Sequence, residues 1–114
     1  MSKHMLSALR WGTIAAAVLA ALPAAAAGRK VAGTIKSYEC GDNCYLTIKS
    51  KSGKEITALC AAVGCTAWNE QAAMPEKFIG RQVQVTIGVG KQYDGAGNLM
   101  GDFPAFTRVV VAKK

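Results

Sequence analysis

The 114-residue chain contains a single histidine, His4, which lies in a short basic head ahead of a long apolar run. Everything after that run is without imidazole, which excludes a Ser-His-Asp or Cys-His catalytic unit and a histidine-ligated zinc or copper site there. Acid is scarce too. The seven carboxylates (Glu39, Asp42, Glu55, Glu70, Glu76, Asp94 and Asp102) lie singly among turn residues and lysines, with no spacing that marks an acid–base pair. These absences predict a protein that is not an enzyme and that needs no cofactor. Aromatic residues make up only 7% of the chain, and no internal repeat or low-complexity linker follows the apolar run.

The head carries Lys3 and Arg10, the apolar run spans Trp11 to Ala27, and it ends on Leu22, Pro23 and four alanines before Gly28. A positive head resists translocation, the apolar stretch partitions into the membrane, and small residues at −3 and −1 fit the peptidase. The pattern predicts a signal peptide over residues 1–27, cleaved after Ala27, and a periplasmic or secreted mature protein. A retained anchor is the alternative, although the run of 17 residues, broken by Pro23, is short for a span of roughly 20. No cysteine at the cleavage point offers a lipid attachment site.

Cleavage leaves Gly28 to Lys114, 87 residues, which is room for one small domain. Loss of Lys3 and Arg10 lowers the basic count from 14 to 12 against seven acids, a net charge of +5. Outside the cytoplasm a basic surface meets anionic glycans and lipid head groups before nucleic acid, so charge speaks to steering and solubility. The partners expected are an anionic envelope glycan or lipid, or another envelope protein, and nucleic acid is not expected.

Strand patterns dominate the domain. Val31 to Tyr38 reads as a first strand bent at Gly33. Residues 44–49 alternate, with Cys44, Leu46 and Ile48 on one face and Tyr45, Thr47 and Lys49 on the other. A three-residue turn with Gly53 left-handed returns the chain into residues 55–60, so that Ser50 faces Lys54, Ile48 faces Ile56, Leu46 faces Ala58 and Cys44 faces Cys60. A slip by one residue would turn the apolar face to water. Ala67 to Met74 reads as a turn or two of helix stopped by Pro75, with Trp68 closing an open end of the core. Residues 81–89 form the clearest strand, through Val83, Val85, Ile87 and Val89. Asp94 to Asn98 is a glycine-rich hairpin loop without the alternating oxygen ligands of a calcium loop, and a last strand covers residues 106–112 with a start as early as Met100.

The meander gathers Cys40, Cys44 and Cys60 at one sheet edge, with Cys65 one loop away. A core this small needs ties, and an oxidising compartment makes them disulfides. Facing positions favour Cys44–Cys60 with Cys40–Cys65, and local pairing, Cys40–Cys44 with Cys60–Cys65, is the close alternative. The spacings C-x3-C and C-x4-C are longer than a zinc knuckle and do not stand at a helix start, so a metal or redox role ranks below a structural one.

Three strands, a short helix and a two-stranded hairpin resemble the OB-fold, a five-stranded barrel with its helix between strands three and four. An SH3-like barrel is the alternative. With its leader, the chain is similar to small bacterial periplasmic OB-fold proteins of mostly unassigned function. The OB-fold resemblance implies a binding face on the outside of strands two and three, framed by the loops between strands one and two and between four and five. The candidate ligand-binding residues there are Tyr45, Lys49, Thr57, Lys91 and Tyr93, with Thr47, Leu59, Asp42, Asn43, Asp94 and Asn98 around them. An aromatic ring beside a lysine can stack on a sugar while the cation meets an anionic group, although Tyr45 also suits plain cross-strand packing. The function expected is an exported, non-catalytic envelope binding module, with a structural or protein-interaction domain as the alternative.

Overall fold

A computed structural model describes residues 28–113, and the expected signal peptide lies outside the described residues. Five strands alternate with one short helix: β1 (Arg29–Cys40), β2 (Cys44–Ser50), β3 (Glu55–Cys60), α1 (Thr66–Gln71), β4 (Gln82–Tyr93) and β5 (Leu99–Val111). They close into a barrel in the order β1-β2-β3-β5-β4, with β4 antiparallel to β1 and β3 parallel to β5. The protein is an all-β small barrel, as its element order predicts. Among the described residues no helix is long and apolar enough to cross a membrane.

The expected register holds in the β2–β3 hairpin. Leu46 pairs with Ala58 and Ile48 with Ile56, and Gly53 takes φ 91° in a turn closed by the Ser50 amide donating to the Lys54 carbonyl at 2.8 Å. Alternation then sends Leu46, Ile48 and Ala58 inward, where they meet Ile35 from β1, Val83 and Val85 from β4 and Phe106 from β5. Full burial of each large member stabilises the barrel by roughly 1.5–3 kcal/mol. Trp68 plugs one end as expected, with ring centroids 5.8 Å from Tyr38 and 5.3 Å from Phe78. Asn69 accepts from the Tyr38 hydroxyl and donates to the Cys60 carbonyl, fixing the helix over the opening. Burial raises the Tyr38 pKa, so the phenol remains a donor.

Closure depends on β1 pairing with two neighbours at once. Gly33 is the partner of Ser50 on β2 and of Val83 on β4, and Thr34 is likewise shared between Lys49 and Gln82. A Cβ on Gly33 would stand 2.3 Å from the Lys49 carbonyl oxygen. The bend read at Gly33 in the sequence is thus a backbone-to-backbone approach that admits no side chain.

Two features depart from expectation. The last hairpin is longer, because β4 continues to Tyr93 and β5 begins at Leu99, and the two pair as far as Tyr93 with Leu99. Glycines at 88 and 90 look like the end of a strand in sequence, yet here they make room: a Cβ on Gly90 would come within 2.8 Å of the Ala105 side chain. The second departure corrects the favoured disulfides, since the bonds are Cys40–Cys44 and Cys60–Cys65. The β2–β3 ladder ends at Tyr45 with Leu59, and beyond it β3 turns toward β5, where Cys60 pairs with Phe106 and the Ala61 amide donates to the Phe106 carbonyl. Cys60 is drawn off Cys44, which instead faces Cys40 directly at a Cα separation of 4.0 Å. A 3-10 turn over Val63–Cys65 brings the buried Cys65 under Cys60, Cα to Cα 5.7 Å. Each short bridge constrains the unfolded chain by about 2 kcal/mol on loop-entropy grounds.

Gly33→Ala is expected to destabilise the protein by about 3 kcal/mol or more, the upper end of overpacking costs, because backbone must move to admit the methyl group. Gly41→Ala, whose added Cβ meets nothing within 4 Å, should leave the melting temperature nearly unchanged. Equal melting temperatures for the two variants would refute the closure argument.

Candidate functional site

The outer face of β2 and β3 is built as alternation dictates, with Tyr45 and Leu59 paired, Thr47 and Thr57 paired, and Lys49 beside Glu55. Its upper half is covered by the protein itself. The β4–β5 arm arches over it, and the Phe103 ring lies edge-on to Tyr45 with centroids 5.9 Å apart. The Gln92 side-chain amide donates to the Tyr45 hydroxyl. Leu59, expected at the surface, is buried at 6% exposure, close to Gly90 and paired in register with Ala105.

The arm is tethered at its far end. Asn43, in the β1–β2 turn, donates from its amide to the Tyr93 carbonyl at 2.7 Å and accepts from the Tyr93 amide at 3.2 Å. One Asn side chain thereby substitutes for a strand partner at the end of β4. Asp94 folds the tip, its Oδ1 accepting from the Asn98 amide at 2.8 Å and from the Ala96 amide at 2.9 Å. The Asn98 backbone amide is the main cause of a lowered Asp94 pKa, with the Asn98 side chain and the Ala96 amide adding to it.

The five candidate ligand residues are therefore not brought together. Tyr45 is engaged by Phe103 and Gln92. Lys91 and Tyr93 alternate with Gln92 along β4 and so project from the arm's other side, where Lys91 bonds Asp102 at 2.7 Å. Asp102 raises the Lys91 pKa, first through that hydrogen bond and then through its charge, but both groups are exposed and such a pair contributes little to stability. Thr57 bonds Thr47 at 2.7 Å between hydroxyls. Lys49 lies away from the arm. It stands at the edge of a groove of about 420 Å³ on a different wall of the barrel, where β1, β4 and β5 lie side by side.

That groove has a simple origin. On the outer face of these strands Ala32 pairs with Gln84 and Gln84 with Val110, and Thr34 pairs with Gln82. Short side chains at Ala32, Thr34 and Ala112 lie between the longer Gln82, Gln84 and Lys49, which leaves a trough. Its end is fixed by Arg81, which donates to the Ala112 carbonyl at 2.8 Å, and by the Ala112 amide bonding the Gln82 carbonyl at 2.9 Å. The next row along the same wall, Lys30, Thr86 and Arg108, lines a second depression of about 280 Å³ that shares Gln84 with the first. The alternation of residues 81–89 marks Gln82 and Gln84 as outward, but no local pattern tells that they adjoin Lys30 and Ala32, which come from the far end of the sheet.

The sulfurs of both disulfides are consumed, so none is a thiolate ligand or nucleophile, and no free cysteine remains among the described residues. No protein-family model matches the chain, and neither a curated protein nor a solved structure does.

Two outcomes are expected. Tyr45→Ala, Phe103→Ala and the double variant should show a coupling of about 0.5–1.5 kcal/mol in a double-mutant cycle, and additive effects would mean that the arm does not rest on Tyr45. The folded Asp94 carboxyl titrates below its unfolded value, so what it contributes is present above the unfolded pKa and lost as pH falls through the folded one. The protection of the Ala96 and Asn98 amides, measured as exchange relative to the intrinsic rate at each pH, should fall across that acidic window, and Asp94→Asn should abolish the change.

Proposed function

We propose that the protein is an exported, non-catalytic binding module of the cell envelope that takes an anionic ligand, and that its barrel is an OB-fold. The strand order and the place of α1 between β3 and β4 support the OB-fold over the SH3-like barrel. Two disulfides in so small a domain support an oxidising compartment, in keeping with the leader-like residues 1–27. The similarity to small bacterial envelope OB-fold proteins belongs to this proposal.

The observation that carries the reading is uncompensated positive charge. Among the described residues only Lys36, bonded to Glu55 at 2.5 Å, and Lys91 are held in ion pairs. The remaining exposed lysines and arginines set up a field that acts on a partner and not on the fold. A catalytic role has little support, because residues 28–114 contain no imidazole and none of the described carboxylates is buried.

A second reading, in which the protein docks a partner's strand, is favoured by one feature. Beyond Ile87, where β1 ends its pairing, one edge of β4 has no neighbouring strand among the described residues, and Val89 is 68% exposed and Met100 64% exposed on the same arm.

Retention of the oxidised protein on immobilised heparin should fall steeply with added salt, as displacement of several counterions requires. Protein recovered without reductant should begin at Gly28 and show no titratable thiol. Salt-independent retention would refute the anionic ligand. An intact Met1 with four free thiols would refute export. A concentration-dependent dimer or a cross-linked partner at the β4 edge would move the weight to the second reading.

A further inference from the structure

The wall formed by β1, β4 and β5 differs from the rest of the barrel surface in three respects that bear on a ligand. First, it is basic without neutralisation. Lys30 and Arg108 flank the smaller depression and Lys49 and Lys51 the larger, and among the described residues none of the four is ion-paired and no carboxylate lines either space. Glu55 pairs in register with Lys49 but gives its carboxylate to Lys36. Second, between the cations the amides and hydroxyls of Gln82, Gln84, Thr34 and Thr86, which both donate and accept, stand beside the short apolar side chains of Ala32 and Ala112 and beside Val110. Third, among the described residues no aromatic side chain lines either depression, and Val110 is the one large apolar side chain exposed there.

These features discriminate between classes of anion. A single-stranded nucleic acid takes much of its affinity from bases stacked on aromatic rings, and the wall offers none. A membrane surface needs apolar side chains to enter the lipid beside the cations, and Val110 alone does not supply them. A saccharide chain bearing carboxylate, phosphate or sulfate groups matches the pattern, with its hydroxyls meeting the amides and its charges meeting lysine and arginine. The larger groove, about 420 Å³, falls in the range of about 300–1,000 Å³ usual for small-ligand clefts, and the smaller continues it past Gln84.

We propose that the ligand of this protein is an anionic oligosaccharide, and that it lies along the outer wall of β1, β4 and β5 from Lys51 past Gln84 to Lys30 and Arg108, not on the face of β2 and β3. The arm bears on the choice: it covers the upper half of the β2–β3 face, and both depressions lie instead on the wall of β1, β4 and β5. The assignment rests on the anionic-ligand reading above and adds its location and chemical class.

The test uses the oxidised protein and a heparin tetrasaccharide at low salt. Amide chemical shifts should move at Ala32, Thr34, Gln84 and Arg108, and stay still at Tyr45 and Tyr93. K30E/R108E should weaken binding at least tenfold and Q84A several-fold, while Lys77→Glu, at the end closed by Trp68, should change it less than twofold. Unchanged thermal melting of these surface variants would show that the losses are local. If the tetrasaccharide binds but K30E/R108E and Lys77→Glu weaken it equally, or shifts centre on the arm, the location is overturned and the anionic-ligand reading survives. If an anionic vesicle or a single-stranded oligonucleotide of equal charge binds more tightly than the tetrasaccharide, the saccharide class is overturned. If no anionic probe binds, both fall together.

Discussion

The barrel depends on one strand serving two partners. β1 is hydrogen-bonded to β2 over its second half and to β4 over its first, and Gly33 and Thr34 belong to both ladders. Such sharing requires a bend tight enough that the β2 backbone passes where a side chain would stand, so the position tolerates only glycine. Closure gives each strand two neighbours over part of its length, and Ile35, Leu46, Ile48, Val85 and Phe106 are buried almost completely. The same bend lays the outer faces of β1 and β4 side by side, and the groove between them is a by-product of how the barrel shuts.

A domain of this size has little apolar surface to bury, and the two disulfides stand where the ladders stop. Cys40–Cys44 clasps the turn end of the β1–β2 hairpin, and Cys60–Cys65 holds the chain as it leaves β3 for the helix. Both bridges close short loops, so they hold local geometry more than they join distant elements. The long-range ties are non-covalent: Asn69 fastens α1 to β1 and β3, and Asn43 fastens the β1–β2 turn to the tip of the β4–β5 arm. Loss of the second tie would free the arm and uncover Tyr45, so the turn and the arm act as one unit.

Much of the architecture was legible because alternation and turn chemistry are local. The β2–β3 register followed from Gly53 and the apolar face of Leu46 and Ile48, and the bend from Gly33. The disulfide partners were not legible. A facing-position argument needs the ladder to continue, and β3 abandons β2 for β5 at the residue concerned, a choice made by Phe106, 46 positions later in the chain. The arm was read too short for a similar reason: Gly88, Gly90 and Gly101 lower strand propensity, and only the folded arm shows that Gly90 must be small, because a Cβ there would crowd Ala105 and Leu59. Leu59 followed its parity correctly to the outer face, yet the outer face at that point is interior to the arm.

The candidate site divides along the same line. Lys49 was legible as an outward cation, and Gln82 and Gln84 as outward polar residues, but their neighbours Lys30, Ala32 and Arg108 come from strands some 50 or 24 positions away and meet them only through barrel closure. By itself the amino-acid order determined strand parity, turn types, the inward and outward faces and the surplus of positive charge, because each is set by residues within a few positions of one another. Tertiary structure alone decided which sulfurs bond, which outer face is covered and which is open, because those outcomes depend on the path of a closed sheet that brings distant strands edge to edge.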